Sequence, residues 1–183
     1  MKTLKTSSIF AVLIFCMTFL ITGHHTAKAQ TGPAFVLDYP NADASLKMAQ
    51  QYITGWKEMN LSKLQKNLSS DAVIYGLGRG NDSLTVAQHK DFLKERFETY
   101  TFEVSNELYL PVKVTNNRNE GEWVLCWGLN TATNKENGKV SPVRYHIAVL
   151  TENGKEIKAV YYFYDTGDFM ESQGWTMTPP NSK

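Results

Sequence analysis

A histidine, an arginine and a carboxylate gather in the stretch VSPVRYHIAVLTENGKEIKAVYYFYDTGDF, Val140 to Phe169. Asn153-Gly154 marks a hairpin, because both central residues of a type I′ turn need positive φ. A two-residue turn sets Glu152 opposite Lys155, Leu150 opposite Ile157, His146 opposite Tyr161 and Arg144 opposite Phe163. Side chains alternate along a strand. One face therefore carries Arg144, His146, Ala148, Leu150, Ala159, Tyr161, Phe163 and Asp165. The other carries Tyr145, Ile147, Val149, Lys158, Val160, Tyr162 and Tyr164. The face that holds His146 and Arg144 among aromatics is the one expected to line a site. His146 could act there as acid, base or hydrogen-bond donor. Asp165 could be a general base, or pair with Arg144 across a diagonal of roughly 7–8 Å. The plainer alternative for His146 is an inward histidine satisfied by a neighbour such as Tyr52.

The elements that would position these groups follow from periodicity. Ala49, Tyr52, Ile53, Trp56 and Met59 recur at three- and four-residue steps, which predicts a helix over about Asp43 to Met59, with Asp43 as its N-cap. That stripe buries Tyr52. Leu61, Leu64 and Leu68 predict a short second helix, and Ala72 to Tyr75 a strand. Gly76, Gly78 and Gly80 make a loop without a phosphate-binding Lys-Ser/Thr. Thr85 and Gln88 form a capping box for a third helix, Thr85 to Tyr100. Its buried stripe is Val86, His89, Leu93, Phe97 and Tyr100, so His89 is expected to pack. Phe102 to Val114 alternates as a long strand, with Pro111 signalling an edge or a bulge. Glu122 to Thr131 is the next strand. Helices gathered on one side of successive antiparallel strands make an α+β layer architecture.

The first residues read differently. Lys2 and Lys5, the apolar run Ile9 to Ile21 and Ala27-Lys28-Ala29 predict a signal peptide over residues 1–29, cleaved before Gln30. The run is short for a membrane span, so no stable membrane insertion is expected after cleavage. The mature chain is expected to be secreted or periplasmic. Removing Lys2, Lys5 and Lys28 takes the formal charge from +1 to about −2, which argues against nucleic acid as a partner. Cys126 is then the only thiol left; it sits in an apolar run and reads as core packing. Two remaining histidines without a carboxylate at ligand spacing predict no metal site, and no cofactor is expected. No Gly-x-Ser-x-Gly or Cys-His pattern offers a nucleophile.

The local phrases also resemble a family. YITGWKEMNLSKLQKNLSSDAVIY, Tyr52 to Tyr75, is similar to the opening of SnoaL-like proteins of the nuclear transport factor 2-like superfamily, where Asp71-Ala72-Val73 opens the first strand. Thr85 to Phe97 resembles the helix that follows. Asn153 to Ile157 resembles the family's hairpin, and Asp165 to Gly174 its ending, with Ser172-Gln173-Gly174. The resemblance covers Asp43 to Gly174. It implies a domain over 43–174, with an arm over 30–42 and a tail over 175–183. It implies a curved antiparallel sheet wrapped as a cone around the long N-terminal helix, enclosing a pocket. Trp127, Tyr161 and Phe163 would line that pocket with Trp56 and Tyr75.

Members of that superfamily include isomerases, cyclases, dehydratases and epoxide hydrolases, and others that only bind or associate. The ketosteroid isomerase pattern implies an oxyanion-hole tyrosine at Tyr52, a general base at the position of Gly76 and a protonated acid at that of His146. Glycine cannot accept a proton, so that chemistry lacks its base. Three functions follow: binding of a small, mostly apolar molecule; a lyase, isomerase or cyclase using His146 and Tyr52; or an association module. The binding residues expected are Tyr52, Trp56, Tyr75, Trp127, Arg144, His146, Tyr161 and Phe163. A homodimer is expected through the other hairpin face, Tyr145, Ile147, Val149, Val160, Tyr162 and Tyr164.

Overall fold

The computed structural model describes residues 34–77, 83–176 and 178. The expected signal peptide, its cleavage point, Gly78, Gly80 and most of the tail lie outside the described residues. The described part is an α+β fold with strands β1 (Ala34–Val36), β2 (Leu68–Tyr75), β3 (Ser83–Thr85), β4 (Tyr100–Thr115), β5 (Gly121–Asn134), β6 (Val140–Glu152) and β7 (Glu156–Tyr164). The helices are α1 (Ala42–Lys57), α2 (Leu61–Gln65), α3 (Val86–Thr99) and α4 (Thr166–Ser172).

Local signals explain most of these boundaries. Thr85 caps α3 through the reciprocal bonds with Gln88 that the capping box requires. The N-cap of α1 is Asn41, with Asp43 in the first turn, where a carboxylate favours the helix dipole. Asn60 caps α2 by accepting from the Lys63 amide. Asp165, expected as a pocket base or the partner of Arg144, instead caps α4 by accepting from the Asp168 amide.

The strands form one sheet in the order β1-β4-β5-β6-β7-β2-β3. It is not wholly antiparallel: β2 runs parallel to β7. A parallel pair needs a long crossover, and everything from β3 to β6 supplies it. β1 pairs with β4 only at Lys113 to Thr115, so Pro111 sits where β4 is an edge and no ladder bond is lost. β4 carries a bulge between Ser105 and Leu108, with Asn106 at φ 54°; a bulge of this kind bends a strand and increases its twist.

The hairpin turn forms as expected. Asn153 and Gly154 have φ of 52° and 63°, and the Lys155 amide donates to the Glu152 carbonyl. The pairing beyond it differs from the two-residue register. Glu152 faces Glu156, Leu150 faces Ala159, Ala148 faces Tyr161 and His146 faces Phe163. Two one-residue shifts restore the parity, so each set of side chains still shares a face.

Which face turns inward is reversed from expectation. Ile147, Val149, Val160 and Tyr162 pack in the core with Met48, Ala49, Tyr52, Ile53 and Trp56 of α1. The surface expected to mediate a homodimer is therefore the inner wall. The physical reason is charge and continuity. The inward rows carry one charge, Lys158, which pairs with Asp71, Glu152 and Glu156 near the hairpin tip, whereas the opposite face contains Arg144 mid-strand, where it reaches solvent. Gly154 at the hairpin tip lies against Ala44 and Asn41, where a Cβ would meet their side chains at 3.0 and 3.1 Å. This contact seats the hairpin on the start of α1.

Candidate functional site

A cavity of about 430 Å³ lies between α1, α3, α4 and the inner face of the sheet, within the range usual for small-molecule sites. Ile53 and Trp56 come from α1, Phe92 and Arg96 from α3, and Phe169 and Met170 from α4. The sheet contributes Phe102, Val104, Asn130, Ala132, Val143, Tyr145, Ile147, Tyr162 and Tyr164. Strand alternation explains the last set, since 143, 145 and 147 on β6 and 162 and 164 on β7 all point inward.

α4 closes one end and is tied down by polar contacts. Gln173 Nε2 donates to Ser141 Oγ at 2.6 Å, Lys139 Nζ donates to the Gln173 carbonyl at 2.7 Å, and Ser141 and Ser172 share a hydrogen bond. Phe169 then rests on Tyr100, with ring centroids 5.7 Å apart. Trp175, just beyond the helix, also lines the cavity, so the segment expected to be tail begins inside the site.

Behind the apolar wall runs a chain of polar groups. Trp56 Nε1 donates to the Tyr162 hydroxyl at 3.0 Å, and the Tyr162 and Tyr52 hydroxyls are hydrogen-bonded to each other. Tyr52 Oη lies 3.3 Å from His89 Nε2. Burial pushes the Tyr52 and Tyr162 hydroxyls above the ordinary phenol range, and lowers His89 to about 4. Near neutral pH the imidazole is therefore uncharged. His89, expected only to pack, is the histidine that meets Tyr52.

The other expected site residues divide sharply. Trp56 lines the cavity and Tyr52 stands behind Tyr162, only 1% exposed. Tyr75, Trp127, Arg144, His146, Tyr161 and Phe163 are on the outer face. There the rings of Trp127 and His146 lie tilted at 4.8 Å, those of His146 and Phe163 tilted at 5.5 Å, and Tyr75 stacks on Tyr161 at 4.4 Å. His146 and Tyr52 therefore do not meet, because the hairpin turns its other side to α1. Desolvation lowers the His146 pKa. Phe35, Leu108 and Phe163 on this outer face are 66%, 62% and 54% exposed.

Sequence reasoning missed Arg96, Asn130 and Tyr145. A signal existed for the last: Gly128 sits mid-strand directly opposite Tyr145. A Cβ there would lie 2.5 Å from the Tyr145 hydroxyl, so the glycine leaves room for that ring to lie across β5. Gly76 also borders the cavity, at φ 81°, with the Tyr162 carbonyl filling the space a side chain would need. Among the described residues, no carboxylate lines the cavity, and no group of three His, Cys, Asp or Glu side chains is placed to hold a metal ion.

Comparison with known proteins bears on the fold. No family model and no curated protein matches the chain. Solved structures do. An NTF2-like protein from Burkholderia xenovorans LB400 superposes with a TM-score of 0.53 at 13% identity, covering 72% of this chain and 96% of that one. This chain shares its fold with that nuclear transport factor 2-like protein. A ketosteroid isomerase-like protein from Erwinia carotovora atroseptica gives a TM-score of 0.54 at 16% identity over 69% of this chain and 98% of that one. A proposed polyketide cyclase from Xanthomonas campestris pv. campestris gives 0.60 at 13% identity over 72% and 98%. These neighbours share the fold with this chain at identities that speak for the fold alone.

Proposed function

We propose that this chain is an exported small-molecule-binding protein whose ligand, mostly apolar, occupies the cavity of the nuclear transport factor 2-like cone. The observation that carries the reading is the cavity itself: about 430 Å³, walled mostly by aromatic and aliphatic side chains. Export is supported by the charged start, the apolar run and Ala27-Lys28-Ala29.

Binding is favoured over catalysis by the absence of a carboxylate among the described lining residues and by the filled space at Gly76. A cyclase or isomerase, as some neighbours are named, is a second reading, and one observation favours it. Tyr162 reaches the cavity wall with its hydroxyl linked to Trp56 and Tyr52, an arrangement that can hold a polarised carbonyl. Self-association belongs with the first reading: the exposed Phe35, Leu108 and Phe163 lie on the outer face and suit a second copy of this chain.

Fluorescence titration of the mature protein with N-phenylnaphthylamine, an uncharged apolar probe, tests the binding reading. Saturable one-to-one enhancement is expected. A linear, unsaturating signal would overturn it.

A further inference from the structure

The cavity is apolar but not featureless. The Tyr145 hydroxyl and the Asn130 Oδ1 are both buried and have no hydrogen-bond partner among the described residues. They are neighbours. The space above Gly128 seats the Tyr145 hydroxyl, and Asn130 is the next inward residue along β5. A hydrocarbon occupant would leave both groups buried and unpaired, which is costly in a low-dielectric site. The occupant that suits this wall therefore carries a hydroxyl, which can donate to the Asn130 Oδ1 and accept from the Tyr145 hydroxyl.

Arg96 adds the sign of the charge. Of the residues lining the cavity in the described part of the chain, it alone is charged. It forms no salt bridge among the described residues. Its guanidinium lies over the Phe92 ring, 4.9 Å from the centroid. Phe92 precedes it by one helical turn, so the stack is set by α3 itself. Stacking occupies one face of the planar group and leaves its in-plane N–H donors available. Those donors match the two oxygens of a carboxylate.

We propose that the ligand is an amphipathic carboxylic acid: its carboxylate pairs with Arg96 and its apolar body lies along the aromatic walls, with Tyr145 and Asn130 meeting a hydroxyl on that body. This rests on the binding reading above and narrows it to a chemical class.

Displacement of N-phenylnaphthylamine near neutral pH tests it, using decanoate, decanol and decylamine as competitors of matched chain length. The readout is the ratio of decanoate to decanol affinity within each protein, with a thermal melt confirming that each variant is folded. In the wild type decanoate should bind about tenfold more tightly than decanol, with decylamine weakest. Arg96→Gln should bring the acid-to-alcohol ratio close to unity, and Arg96→Lys, which keeps the charge, should retain most of it. A ratio near unity in the wild type, or one that survives Arg96→Gln, would overturn the proposal while leaving a neutral-ligand pocket standing. A probe that never binds would overturn the pocket reading and this inference with it.

Discussion

The carbonyl of Tyr162 on β7 occupies the space that a side chain on Gly76 would need. This one relationship decides what can stand at position 76. The position where the isomerase pattern implies a general base is held open only for backbone, at a positive φ that favours glycine.

Gly76→Asp should therefore fail to install a base. The substitution combines a strained φ with a collision against the neighbouring strand, and should destabilise the fold by about 2 kcal/mol or more. Chemical denaturation would show a lowered midpoint. A variant as stable as the wild type would mean that β7 yields easily at this point.

His89 should make stability depend on pH in a defined window. Its imidazole is lowered to about 4 by burial, whereas an unfolded chain holds it near 6.5. Between those values the unfolded state binds more protons than the folded one. Stability is thus complete above the unfolded pKa and falls as pH drops from about 6.5 toward 4, by an amount on the order of 3 kcal/mol. His146, lowered by desolvation, contributes in the same sense. Urea unfolding across this range should show the slope, and His89→Phe should flatten it. An unchanged slope in the variant would assign the effect to other groups.

The outer face should hold two chains together. Leu108, Trp127, His146 and Phe163 form one continuous row across four strands, and its two ends are the most exposed. Light scattering should give a dimer for the mature protein. Leu108→Glu combined with Phe163→Glu should give a folded monomer. A monomeric wild type at high concentration would contradict this.

Export should leave Gln30 as the first residue. Intact-mass measurement of the protein recovered from outside the cytoplasm should lack residues 1–29. Recovery of the full-length mass from a membrane fraction would contradict the cleavage.

Most of the elements were legible because their signals are local. Thr85 and Gln88 lie three residues apart, and Asn153-Gly154 needs no distant partner to specify its turn. The facing of β6 and β7 was not legible. Both faces of that hairpin are apolar, so alternation separates two sets without saying which meets α1. His146 drew attention as a titratable group, yet its row includes Arg144, which is more cheaply left in water. Tyr145, Tyr162 and Tyr164 looked like an outer patch, but their hydroxyls find partners or a cavity inside. Tyr52 was placed correctly from the α1 stripe, and its histidine partner came from α3 because the inward wall of the hairpin offers none. Arg96 and Asn130 gave no separate warning, since a lone arginine on a helix and an asparagine in a strand are ordinary surface residues until the sheet curves over them.

The most direct measurement fills the cavity from within. Ala132 is buried on the inner face of β5 and lines the space. Ala132→Phe would occupy part of it at an overpacking cost of about 1–3 kcal/mol, which a thermal melt would register. N-phenylnaphthylamine should bind the wild type saturably, and the folded Ala132→Phe protein should bind it at least about tenfold more weakly. Equal binding by both proteins would place the probe outside the cone and contradict the cavity as the ligand site.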